Sequence, residues 1–147
     1  VLIMNGTFIK VSNLTELESL KEDILDLAKA IPPMIGVNGN LMEYLEKAID
    51  DPHYTLVAHV GEGKLNGAAL LQFGVDLLGK KVCEIIMAVS KKPHLTKEFM
   101  LDLESTCKDM DITRLVMMSE VDSKLYSRWA RKFGFSATFT GVTKELT

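Results

Sequence analysis

Glu84 is the one acid in an otherwise apolar run, Glu84-Ile85-Ile86-Met87-Ala88-Val89, inside a longer β-rich segment from Lys81 to Ser90. A carboxylate among hydrocarbon is the kind of group that serves as a general base, because burial disfavours its charged form and raises its affinity for a proton. The plain alternative is an acid at the strand's edge that points to solvent. Glu120, just past a second apolar run at 112–118, is the other candidate for the same task. The remaining reactive types are scattered. Cys83 and Cys107 have no CxxC spacing and no histidine nearby, so neither a disulfide framework nor a zinc site is expected, and no metal is called for. His53 and His59 stand singly, and His94 lies in a polar stretch beside Lys91 and Lys92, where it could meet an anion or simply be solvated.

The elements that would position these groups follow from periodicity. Phe8, Ile9 and Val11 mark a first strand within Gly6 to Val11, and Ser12-Asn13 offers helix caps. From Asn13 the spacing of Leu14, Leu17, Ile24, Leu27, Ala28 and Ile31 is that of an amphipathic helix, with Glu16 placed for a capping box and Pro32-Pro33 to end it. A Gly/Asn-rich loop, Met34 to Asn40, leads to a shorter helix at about Leu41 to Asp50. The extended runs Tyr54 to Val60, Leu65 to Phe73 and Lys81 to Ser90, broken by Gly61-Glu62-Gly63-Lys64 and by Gly79-Lys80, read as three consecutive antiparallel strands. Apolar residues on both alternations from Ile85 to Val89 point to burial on both faces there.

Past Ser90, a polar loop from Lys91 to His94 precedes Phe99, Met100, Leu103, Cys107 and Met110 at helical spacing, and Ile112 to Met118 is again extended. A crossover of this kind makes the 112–118 strand parallel to the one at 81–89. Ser123 to Lys132 is helical, Gly134 is its left-handed terminator, and Phe135 to Leu146 is extended.

This order of elements resembles the GNAT superfamily of acyl-CoA-dependent N-acyltransferases over nearly the whole chain. Three local matches carry the resemblance. Glu84 to Val89 is similar to the family's fourth strand, Arg131-Lys132-Phe133-Gly134-Phe135 to the end of its last helix, and Asn66-Gly67-Ala68-Ala69 to a hairpin that resumes with a small-residue step. The fold so implied is an α/β (α+β), three-layer GNAT-like domain spanning 1–147, with a mixed, mostly antiparallel six- to seven-stranded sheet and about four helices. The activity implied is transfer of an acetyl group from acetyl-CoA to an amine by direct attack. Backbone groups of Met87, Ala88 and Val89 would hold pantetheine, with an amide there polarising the thioester carbonyl, and Glu84 would be the base.

The family's pyrophosphate loop reads R/Q-x-x-G-x-G/A, whereas this chain has Lys91-Lys92-Pro93-His94-Leu95-Thr96, and no glycine occurs between Gly79 and Gly134. Lys91, Lys92 and Thr96 would replace it as cofactor-binding residues, the lysines acting as point charges on phosphate. The family's usual tyrosine position holds Ala130; Tyr126, one turn earlier on the same helix face, stands in as the acid for the leaving thiolate, and Ser123 lies where an asparagine is often found. The alternative of another class is a catalytically inactive GNAT-fold module for structure or interaction, in a virus or a larger assembly, and the missing glycines are its support.

Composition narrows the partners. With 47% hydrophobic and 25% charged residues, 147 positions suffice for one domain with a core. Acids outnumber bases 9 to 4 through residue 60 and bases lead 13 to 11 beyond it, for a net charge of −3, so a nucleic-acid role through Arg128, Arg131 and Lys132 is not expected. The opening Val1-Leu2-Ile3 is too short for a signal core, and no stretch nears the roughly 18 apolar residues of a membrane span. A cytoplasmic monomer or homodimer acting on an amine-bearing small molecule or peptide is the expectation. The Pro32 to Asn40 loop, free of acids, would shape the acceptor site, and the 135–146 strands are the edge available to a dimer.

Overall fold

The computed structural model describes residues 8–28, 41–61, 64–91, 93–117, 131–136 and 144. The chain leaves a short strand, β1 (Phe8–Val11), and enters helix α1 (Leu14–Ala28) through a side-chain cap. The Asn13 side-chain oxygen accepts from the Glu16 N–H at 2.9 Å, and the Glu16 carboxylate accepts from the Ser12 N–H at 2.7 Å, which is the reciprocal arrangement that the spacing implied. Helix α2 (Leu41–Ile49) follows, then strands β2 (Tyr54–Gly61), β3 (Lys64–Val75) and β4 (Lys81–Ser90), helix α3 (Pro93–Asp109) and strand β5 (Arg114–Met117).

The sheet order is β1-β2-β3-β4-β5. Neighbours are antiparallel except β4 and β5, which are parallel because α3 carries the chain back across the sheet. Alternation along the strands divides the core in two. Leu56, Ala58, Leu70 and Met87 face α1 and α2, whose buried stripes are Leu17, Ile24 and Leu27 and Met42, Leu45 and Ala48. Val57, Ala69, Leu71, Cys83 and Ile85 face Phe99, Met100, Leu103 and Cys107 of α3. The result is a three-layer α+β sandwich.

Among the described residues there are five strands and three helices, against the six or seven strands and about four helices expected. The further helix at 123–132 and the extended pair at 135–146 fall largely outside the described residues. What is described agrees with a helix end there: Arg131 and Lys132 are helical, the Gly134 N–H bonds to the Arg131 carbonyl at 3.1 Å, and Gly134 has φ of 81°.

Helix α3 ends in a double cap, with the Ile112 N–H on the Cys107 carbonyl at 2.8 Å and the Asp111 N–H on the Lys108 carbonyl at 3.2 Å. This geometry sets Asp111 at φ of 60°, a left-handed conformation that glycine adopts without the Cβ penalty, and puts a negative charge at the helix's negative end. Asp111→Gly is therefore expected to raise stability by about 1 kcal/mol, read as a higher urea midpoint at unchanged slope; a lower midpoint would contradict it.

Candidate functional site

One irregularity lies in the middle of β4. Leu70 pairs with Met87 but Leu71 pairs with Ile85, so Ile86 is an extra residue in β4, a β-bulge. The parallel pairing with β5 runs from Val82↔Arg114 to Ile85↔Met117 and, among the described residues, goes no further. A bulge bends and twists the strand that carries it, so β4 changes direction at Ile86. Burial on both faces was expected from Ile85 to Val89. The structure corrects this: Met87 is buried, Ala88 is exposed and Val89 is half-buried, because the bulge at Ile86 interrupts the alternation of the strand. Met87, Ala88 and Val89 thus lie together past the bulge, where an extended ligand could use the backbone.

Gly67 bears on the same stretch. It pairs with Ser90, and a Cβ built on it would stand 3.0 Å from the Val89 carbonyl oxygen, a backbone atom with little freedom to yield. The small-residue step is required by this approach of β3 to β4. Gly67→Ala should push the end of β4 outward, at a cost of about 1–3 kcal/mol, read as a lower urea midpoint; an alanine variant with unchanged stability would show that the strands adapt.

The polar stretch after β4 is corrected as well. Helix α3 begins at Pro93, so His94 and Thr96 belong to its first turn and the connection is residues 91 and 92 alone. Proline is suited to that first position because its φ is preset for a helix and its absent N–H would have had no intrahelical partner. Lys91 is exposed, and its backbone N–H is bound to the Asn66 carbonyl at 2.8 Å. Lys92 lies outside the described residues, as do Tyr126, Ser123, Glu120, Ala130 and the 32–40 loop.

Glu84 is not on a sheet edge. It sits in a central strand opposite Gln72 of β3 and beside Val116 of β5, and Gln72 in turn faces Tyr54 of β2. Residues directly opposite across strands share a face, so Tyr54, Gln72, Glu84 and Val116 form one row, on the side covered by α1 and α2. Tyr44 of α2 reaches the row, packed against the same core cluster as Tyr54. Burial pushes the Tyr44 phenol above its ordinary range, and the neighbouring Tyr54 and the charge of Glu84 add to the shift. The four polar members, Tyr44, Tyr54, Gln72 and Glu84, are each half-buried. The tyrosines were missed in the sequence because Tyr44 fits the apolar stripe of its helix and Tyr54 the start of a strand; a polar tip on an amphipathic side chain was the only signal.

The face toward α3 holds a second surprise. Cys83 and Cys107 are both buried in the same core cluster, and each thiol acts on the other's proton affinity. Among the described residues, no group of three or more histidines, cysteines and carboxylates could hold a metal, and no helix is long and apolar enough to cross a membrane.

A mixed sheet with one parallel pair, a bulge in the first strand of that pair, and helices on both faces is the architecture of the GNAT acetyltransferases, and solved structures bear this out. A ribosomal-protein-alanine N-acetyltransferase from Brucella melitensis biovar Abortus superposes with a TM-score of 0.73 at 11% identity, covering 96% of this chain and 100% of that one. A GNAT family acetyltransferase from Staphylococcus aureus gives 0.66 at 18% identity, with 96% and 100% covered. AAC(6')-Iy, in complex with the bisubstrate analog CoA-S-monomethyl-acetylneamine, gives 0.69 at 12% identity, with 99% of each chain covered. This chain has the GNAT fold. No family model matches its sequence, and no curated protein is similar to it.

Proposed function

We propose that the chain is a single-domain, cytoplasmic N-acetyltransferase that moves the acetyl group of acetyl-CoA to the amine of a small molecule or peptide in a ternary complex. The observation that carries this reading is the Ile86 bulge of β4 within the GNAT fold, one same-face step, about 7 Å, from Glu84 and its two tyrosines. Pantetheine would lie along Met87, Ala88 and Val89, and a backbone amide there would stabilise the oxyanion. Lys91, Lys92 and Thr96 would meet the pyrophosphate, with Ser123 as a further cofactor contact. The amine nitrogen attacks the thioester carbonyl, Glu84 takes the amine's proton, the carbon–sulfur bond breaks, and Tyr126 protonates the departing thiolate.

Calorimetric titration with acetyl-CoA and desulfo-CoA tests this without knowledge of the acceptor. Micromolar binding of both supports it, and an acceptor screen then identifies the amine. Absence of binding at millimolar ligand favours the second reading, an inactive GNAT-fold interaction module. One observation speaks for that reading: the connection between β4 and α3 is two residues long, its Lys91 amide is already engaged, and Pro93 has no N–H to give a phosphate.

A further inference from the structure

A groove of about 670 Å³ opens at the end of the molecule where α3 meets β5, and Cys107 forms part of its wall beside Ile112, Leu115, Phe133 and Phe135. In the same core cluster, and near enough to act on the Cys107 thiol, lies Cys83 of β4, with no exposed surface at all. The two sulfurs therefore differ in access: one borders a cavity and the other is reached only through it. This pair takes no part in the proposed acetyl transfer: Glu84 belongs to the opposite face of β4, and Met87 to Val89 to the end of that strand past the bulge.

We propose that Cys107 and Cys83 are an oxidisable thiol pair, in which a small hydroperoxide entering the groove oxidises Cys107 and Cys83 resolves it to an intramolecular disulfide. The Cys107 sulfur attacks a peroxide oxygen, the O–O bond breaks, and water or an alcohol leaves as Cys107 becomes a sulfenic acid. The Cys83 sulfur then attacks the Cys107 sulfur, the S–O bond breaks, and the hydroxyl departs as water with the Cys83 proton. Two electrons pass from the two thiols to the peroxide. The order of events has a physical basis. The neighbouring Cys83 favours the thiolate of Cys107 and lowers its proton affinity, while Cys107 and burial push the Cys83 thiol up. A disulfide here would join α3 to β4 across the core, so oxidation would tie the helix to the bulged strand.

The test is peroxide treatment of the native protein, quenching with an alkylating reagent, and mass analysis under non-reducing conditions. The expected product is a monomer lighter by two hydrogens, refractory to alkylation, restored by dithiothreitol and mapped as a Cys83–Cys107 cross-linked peptide. In Cys83→Ala, dimedone should trap a sulfenic acid on Cys107 with no disulfide formed; in Cys107→Ala, Cys83 should remain a thiol. Brief alkylation of the untreated wild-type protein, which needs no variant to fold, should label Cys107 before Cys83. Two alkylatable thiols after peroxide, labelling of Cys83 as fast as Cys107, a disulfide between copies, or a disulfide formed only after unfolding in urea would each overturn the proposal. None of these outcomes depends on whether the chain binds acetyl-CoA.

Discussion

If the chain is the acetyltransferase proposed, replacing Glu84 with glutamine is expected to lower kcat for acetyl transfer by about 10²–10⁴-fold while leaving acetyl-CoA affinity unchanged. Glutamine keeps the size of the side chain and its ability to hydrogen-bond, but it cannot take a proton from the amine. The position supports so specific an effect. Glu84 lies in a central strand between Gln72 and Val116, where a neutral isostere can occupy the same space. It stands on the same side of the sheet as the Ile86–Met87 bulge, so an amine held against its carboxylate would be close to a thioester carbonyl bound past that bulge. Steady-state kinetics with the acceptor found by screening, together with calorimetry of acetyl-CoA binding, separates loss of the base from loss of the site. Unchanged turnover would move the base elsewhere, with Glu120 next in line. Loss of turnover and of acetyl-CoA binding together would mean that Glu84 supports the architecture rather than the proton transfer.

The largest effect on stability is expected from Leu103→Ala, a loss of about 2–5 kcal/mol. Leu103 is 0% exposed and belongs to the core that α3 makes with Leu71, Cys83 and Ile85. Truncation removes buried hydrocarbon and leaves a cavity between a helix and a sheet, neither of which can collapse freely to fill it. Against a total stability of about 5–15 kcal/mol for a domain of this type, the variant should unfold at distinctly lower urea. If the candidate site binds acetyl-CoA, saturating ligand should restore part of the loss by mass action, about 2.7 kcal/mol at a hundredfold excess over Kd. A variant as stable as the parent would show that α3 repacks on the sheet, contrary to the close packing described.

Local sequence was sufficient for most of the architecture. The Asn13–Glu16 cap, the stripes of α1 and α2, the antiparallel run from β2 to β4, the parallel return to β5 and the left-handed Gly134 are all present among the described residues. Each is a matter of neighbours within one turn or one strand, where periodicity and backbone preference act directly. The start of α3 was misread because Lys91 to His94 has loop-like polarity, yet proline favours the first position of a helix, so polarity and backbone preference pointed in different directions.

Whatever depends on register between distant segments had no sequence signature. The bulge at Ile86 exists only relative to Leu70 and Leu71 of the partner strand, and burial along β4 changes just past it. Glu84 was legible as a candidate base from its apolar surroundings, whereas Tyr44 and Tyr54 join it only because α2 is laid over the row that β2, β3 and β4 align. Cys83 and Cys107, far apart in the chain, meet because one periodicity of β4 and one of α3 face each other across the same core. By itself the sequence determined which segments are helix or strand and which single carboxylate stands in apolar surroundings. Tertiary structure decided which side chains meet, because contacts across a sheet are set by pairing register, and a shift of one residue exchanges one face for the other.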